Sequence, residues 1–318
     1  MANVDGVLFI DANQYVDLYR THTGKNQLPA LKEQQEHIFV TKGVVDEVQR
    51  NKVKEAAEFL EREFKKLQAP NLAVPVHLFS TTDDRIQRIR DALKKDHAQI
   101  DIVNEQLMEL AHDLLDQITR SEDEVSKTLD ELFAKAILPT EDELQRARMR
   151  KELGNAPGKK TGPLGDQLTW EQLLSRCQGK SKLWIITGDG DYATEYKGKM
   201  FLNAMLYQDL ARLYQRPPEV FPFNNILDGI KHFAEITKVK ADKLPTPEET
   251  EQIKKELDSL PPRGWVDTSM DDAYIVSLLT RRRQQMLSPA LRAALYSQGD
   301  EGWHPGMKPD PEPDKTAG

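Results

Sequence analysis

The chain has 318 residues, of which 38% are hydrophobic, and a formal net charge of -8, enough length and apolar content for one large domain or two small ones. The negative balance excludes a protein whose whole surface grips phosphate. No stretch approaches the roughly 18 apolar residues of a membrane helix and the N-terminus lacks a signal peptide's pattern, so a soluble cytoplasmic protein without a membrane partner is expected.

The chain opens with GVLFIDANQYVDLYR, read as a short apolar strand from Gly6 to Ile10, then Asp11, Asn13 and a helix carrying Val16, Leu18 and Tyr19. A second strand is predicted at His37-Ile38-Phe39-Val40-Thr41, followed from Gly43 by a helix through Val44, Val45 and Val48. Strand, helix, strand, helix is the signature of a parallel sheet in an α/β fold. The rhythm then breaks. Apolar residues at Ile86, Ile89, Leu93, Ile100, Val103, Leu107, Leu110 and Leu114 form one stripe on a long helix, best read as packing on its neighbours and less readily as a dimer seam. A second helix carries Val125, Leu129, Leu132 and Phe133; a third begins at Thr140 with Glu143 as its capping box and stops near Gly154.

The loop GNAPGKKTGPLG, with Lys159 and Lys160, leads into DQLTWEQLLSRC, a helix expected to start at Asp166. LWIIT (183–187) is an unbroken apolar run ending in GDGD, as a central parallel strand buried on both faces would be. FLNAMLYQDLARLY is predicted as one helix, EVFPF as a short strand, NNILDGIKHFAEI as a closing helix and TPEETEQIKKELDSL as a polar helix. A further helix runs through Ile275 to Met286, and the Pro- and Gly-rich end is predicted disordered. The lone Cys177 rules out an internal disulfide and any cysteine-built zinc site and reads as a half-buried thiol.

Four acids stand at matching topological places: Asp11 after the first strand, Glu47 in the helix after the second, Asp166 at the start of a helix, and Asp189 after the last strong strand. Each has a plain alternative. Asp11 and Asp166 are suited to helix capping, Glu47 to matching a helix dipole, and Asp189 to a turn. If the strands are parallel neighbours, however, all four point into one crevice, since ligand-binding loops gather at the carboxyl ends of such strands. Crowded carboxylates of that kind suit magnesium or manganese, hard cations that prefer oxygen ligands. Lys159 and Lys160 are candidates to meet substrate phosphates, with a solvated loop as the plainer reading; Arg281-Arg282-Arg283 is read as a basic helix end.

The order FIDAN, VVDEV, GPLGDQLTWEQLL and ITGDGD resembles PIN-domain nucleases, in particular the PIN-like group with a large helical insertion. The resemblance covers about residues 5–54 and 155–239. It implies a three-layer αβα domain with a central parallel sheet and its core at 1–54 and 155–239; the residue pattern itself adds a helical insertion at 55–154, a helical C-terminal extension at 240–298, which like the insertion has no counterpart in the minimal domain, and a disordered tail at 299–318. It further implies Asp11, Glu47 (with Asp46 as the neighbouring alternative), Asp166 and Asp189 as catalytic metal ligands for Mg2+ or Mn2+, and Asp191 as a further metal-binding acid. Asn13 and Thr187 would steady those acids by hydrogen bonding. The activity implied is endonucleolytic hydrolysis of phosphodiesters, foremost in RNA and less often in structured or single-stranded DNA, by metal-activated water. The insertion would offer a surface for self-association or a protein partner. Two other readings compete. In a haloacid-dehalogenase-like phosphatase Asp11 would be the nucleophile and Thr41 a phosphate contact, but Asn13 cannot act as the acid two residues on. In a non-catalytic scaffold the sheet would only present the helical block.

Overall fold

Apolar runs bounded by turn formers build the centre of the molecule. In chain order the described elements of the computed structural model are β1 (Val7–Ile10), α1 (Ala12–Asp17), α2 (Leu28–Gln34), β2 (Ile38–Phe39), α3 (Lys42–Lys66), α4 (Ile100–Thr119), α5 (Glu124–Phe133), α6 (Glu141–Leu153), α7 (Gly165–Arg176), β3 (Lys182–Ile186), β4 (Ala193–Tyr196), β5 (Lys199–Leu202), α8 (Ala204–Leu213), β6 (Glu219–Phe223), α9 (Ile226–Thr237) and α10 (Pro247–Asp258). The structure describes residues 4–66, 84, 85, 88, 100–158, 164–214 and 217–261. Lys159, Lys160, the arginines at 281–283, the stripe residues Ile86, Ile89 and Leu93, the predicted helix through Ile275 and Met286, and the predicted tail lie outside the described residues.

Four strands form one parallel sheet in the order β2-β1-β3-β6. Every residue of β1 is buried, and β3 is buried from Leu183 onward, so neither shows the alternation of a half-exposed strand. Pro222 sits in β6, where an edge strand tolerates the missing N–H. From β1 the chain moves outward to β2; from β3 it moves outward to β6 on the other side. The direction of winding therefore reverses between β1 and β3, and the loops leaving their carboxyl ends separate to open a crevice.

Helices complete a three-layer αβα arrangement around this sheet. Helix α9 packs closely on β3 at Gly229, where an added Cβ would lie 2.2 Å from Ile186 Cδ1. Helix α3 runs unbroken across residue 54, so the helical block grows out of a helix of the sheet domain rather than from a loop. On α4 the predicted stripe is found buried at Val103, Leu107, Leu110 and Leu114, and α4 packs on α3. Thr140 and Glu143 form the expected capping box of α6, which ends at Gly154 with φ 72°. The polar helix α10 opens on a second capping box, Thr246 with Glu249, and its Glu256 accepts from the backbone N and the hydroxyl of Thr23.

The expectation of one helix over FLNAMLYQDLARLY is corrected. Phe201 and Leu202 close β5, the second strand of an antiparallel hairpin with β4, and the helix begins only after Asn203, which caps it by accepting from Met205 N at 2.9 Å. Lys197 and Gly198 lie between the paired residues Tyr196 and Lys199, with φ of 52° and 76°. Two central residues with positive φ make the tight turn whose twist suits a hairpin.

Candidate functional site

Asp11 continues the β1 ladder one residue past the strand: its N–H donates to the Ile186 carbonyl at 2.9 Å. This register turns the carboxyl into the interior at the strand's end, where it is only 6% exposed. Oδ1 accepts from Ala12 N at 2.8 Å and so caps α1. Oδ2 accepts from Asn13 Nδ2 at 2.6 Å and from the Thr187 hydroxyl at 2.8 Å. Both partners also hold the loop after β3. The carboxamide oxygen of Asn13 accepts from Gly188 N at 3.2 Å, and Thr187 Oγ1 accepts from Asp189 N at 2.9 Å. Asp189 in turn accepts from Asp191 N at 2.9 Å, a local turn that aims its carboxylate. Asn13 and Thr187 thus each hydrogen-bond both Asp11 and the loop after β3.

Glu47 and Asp166 arrive from two helices whose first turns are tied together. Thr41 Oγ1 accepts from Val44 N at 3.2 Å at the start of α3 and bonds Thr169 Oγ1 of α7 at 3.0 Å. Gly43 makes this approach feasible, since a Cβ there would stand 3.0 Å from Thr169 Oγ1. Of the two neighbouring acids on α3, Asp46 is paired with Lys42 one turn earlier, while Glu47 acts on Asp11. Asp166 lies in the first turn of α7, but the N-cap is Leu164 and no side chain caps the helix, so capping does not account for it. Gly158, with φ 83°, lies directly against it: an added Cβ would come within 3.0 Å of Asp166 Oδ2 and 2.5 Å of Gln167 Nε2.

The charges converge. The Asp11 carboxyl is pushed up to about 8, first by burial and then by the negative charge of Glu47; the hydrogen bond from Thr187 opposes this, and Asp166 and Asp189 add to it. Tyr192, fully buried beside them, has its phenol held well above the usual range by burial and by the same acids, Asp11, Asp166, Glu47 and Asp189. Two buried groups thus report the same four carboxylates around one crevice. Asp191 contributes to it through its backbone, whose carbonyl also accepts from Asn203 Nδ2 at 3.2 Å. Tyr192 and Gly158 were not anticipated; the tyrosine directly after GDGD is the only trace either leaves in the sequence. Cys177 is buried and its thiol is pushed up to about 12 by that burial, which makes it inert rather than nucleophilic.

Among the described residues no three Asp, Glu, His or Cys side chains close on a single point as a ready-made metal cage. Glu47, Asp166 and Asp189 instead act on Asp11 through their charge, and both Asp11 oxygens are engaged by the protein. That donor set still fits a hard cation: it is all oxygen and strongly negative, and magnesium binds through one or two carboxylates while keeping several waters and taking others from substrate phosphates. A carboxyl that burial and three neighbouring acids hold toward its protonated form is also a group whose ionisation a cation would favour. In sequence comparisons the family model for the PIN domain matches residues 8–192. No curated protein and no solved structure gives a match. The matched span runs from β1 through the helical block to Tyr192, and the hairpin that follows lies beyond it.

Proposed function

The chain belongs to the PIN-domain family, whose members are in general nucleases that typically use divalent metals, and on that premise we propose that it is a metal-dependent endonuclease acting on RNA. The observation that carries this reading is the coupling of Glu47, Asp166 and Asp189, from three separate elements, to the buried carboxyl of Asp11. In this reading Asp11, Glu47, Asp166 and Asp189 hold the cation, Asp191 lies at the margin of the site, and Asn13 and Thr187 steer Asp11 and Asp189. When bound, magnesium or manganese supplies the charge that lets the acids ionise together, a water of lowered pKa and stabilisation of the leaving oxygen. Thr187 both donates to Asp11 Oδ2 and accepts from Asp189 N, so one hydroxyl sets the relative position of two of these acids.

The phosphatase reading is weakened by two side chains. Thr41 is fully buried and spends its hydroxyl on Val44 N and Thr169. Both oxygens of Asp11, the nucleophile this chemistry requires, are engaged, Oδ1 by Ala12 N and Oδ2 by Asn13 Nδ2. The test is degradation of labelled single-stranded RNA by purified protein with Mg2+ or Mn2+, beside Asp11→Asn and Asp189→Asn. Expected is internal cleavage that both substitutions abolish while folding is retained. Release of phosphate from small monoesters would instead favour the phosphatase, and neither activity would favour a scaffold.

A further inference from the structure

The hairpin beyond the acidic loop has two unlike faces. Pairing places Ala193 opposite Leu202 and Glu195 opposite Met200 on one side, and Thr194 opposite Phe201 and Tyr196 opposite Lys199 on the other. The first face packs inward at one end, where Ala193 is buried and Leu202 packs on the core, while Glu195, itself exposed, accepts from Asn224 Nδ2 at 3.0 Å. The second faces solvent and carries two aromatic rings, Tyr196 at 64% and Phe201 at 47% exposure. Each ring has an ammonium over it, Lys197 Nζ 5.4 Å from the Tyr196 centroid and Lys199 Nζ 5.3 Å from that of Phe201. In a chain of net charge -8, a hairpin face on which Thr194, Tyr196, Lys199 and Phe201 include no carboxylate forms a local exception. The hairpin is also clamped to the acid loop, since Asn203 N donates to the Tyr192 carbonyl at 2.8 Å and Asn203 Nδ2 to that of Asp191 at 3.2 Å.

We propose that the outward face of this hairpin is a stacking platform for the unpaired bases of the RNA substrate, with Tyr196 and Phe201 receiving bases and Lys197 and Lys199 the adjoining phosphates. Base stacking on aromatic side chains next to basic groups is how single strands are held without sequence readout. A ring with an ammonium about 5 Å away offers one partner to a base and one to a phosphate of the same stretch of strand. A duplex, whose bases are already stacked, would gain only the phosphate contacts. The proposal rests on the nuclease reading and extends it by naming the class of substrate and the surface that presents it to the acids. The platform lies outside the span matched to the PIN domain.

The test separates binding from cleavage. Full-length Asp11→Asn protein in EDTA is titrated into a fluorescein-labelled twelve-nucleotide oligouridine and, in parallel, a blunt RNA duplex of the same length, with anisotropy as the readout. The single strand is expected to bind more tightly than the duplex. Tyr196→Ala and Phe201→Ala should each weaken it by roughly tenfold or more, while Tyr196→Phe and Phe201→Tyr keep the ring and the affinity. Replacing Lys197 and Lys199 together should flatten the salt dependence of log K by about 1.4, two phosphates on a single strand. Unchanged binding in the two alanine variants overturns the platform, as does equal affinity for the duplex. Self-association that Tyr196→Ala abolishes without affecting RNA binding also overturns it, because a second copy would then cover the face. Wild-type protein that binds in this manner but cleaves no RNA with magnesium or manganese would sink the nuclease reading and leave the platform standing.

Discussion

Asp11 is caught between two demands. Its carboxyl is buried and surrounded by acids, which favours the proton, yet the proposed role as a metal ligand requires it ionised. A pKa raised from the ordinary 3.8 to about 8 means that the folded state holds a proton which the unfolded chain releases near pH 4. The stability from this group is therefore fully present below about pH 4 and is lost as pH rises to about 8. Metal-free protein should show a falling urea midpoint across that window, and Asp11→Asn should lack this component, whatever its other costs. Manganese affinity of the wild type should rise over the same interval, because binding then displaces less proton. Thr187→Val tests the hydroxyl that donates to Asp11 and accepts from Asp189 N. Loss of such a positioning hydrogen bond should reduce cleavage by about 10- to 100-fold, measured as initial rate at saturating manganese, with the thermal midpoint moving little.

At the scale of elements, one carboxylate joins the helical block to the sheet domain. Glu171 of α7 is paired with Arg146 at 2.8 Å and Arg150 at 2.8 Å, both on α6, and Arg150 reaches on to Asp209 of α8 at 2.7 Å. Trp170 Nε1 donates to the same Asp209 at 3.1 Å. Because Arg150 and Glu171 are nearly inaccessible, removing Arg150 leaves buried Glu171 with Arg146 alone and takes the cation from Asp209. Arg150→Ala should therefore destabilise, by at most about 3–5 kcal/mol since one arginine still faces Glu171, read from denaturant unfolding. The glycine loop before α7 offers a finer contrast. Gly154 and Gly158 both have positive φ, but a Cβ at Gly154 meets nothing within 4 Å whereas one at Gly158 meets Gln167 and Asp166. Alanine at 154 should cost about 1–2 kcal/mol of stability and leave activity intact. Alanine at 158 should in addition displace Asp166 and lower the cleavage rate.

For the whole molecule, the winding reversal between β1 and β3 makes one crevice from loops separated by more than half the chain. A ligand that binds only the folded crevice stabilises every element around it. Manganese at a hundred times its dissociation constant should thus raise unfolding free energy by about 2.7 kcal/mol in the wild type, and by far less in Asp189→Asn. A metal-induced shift of the same size in both proteins would place the ion elsewhere.

Much of this was legible in the residues themselves. VLFI and LWII announce buried strands because burial on both faces removes alternation, and the acids after them are found by adjacency alone. Thr140 with Glu143 and Thr246 with Glu249 mark helix starts because capping is a contact between residues three apart. The hairpin was hidden because FLNAMLYQDL carries apolar residues at spacings a helix also satisfies, and only Lys197-Gly198 betrays the turn. That Glu47 acts on Asp11 while Asp46 pairs with Lys42 depends on the rotation of α3 about its axis, and the contact of Gly158 with Asp166 on packing between segments; neither leaves a local pattern.

The sequence by itself determined the elements, their caps and the placing of an acid at each relevant end, because these depend on side chains within a few residues of one another. Only the tertiary structure decided that β1 and β3 lie side by side, that Thr187 grips Asp11 and that four carboxylates share one field. Strand order is chosen by burial over the whole chain, and no local periodicity encodes which strand a given strand will meet.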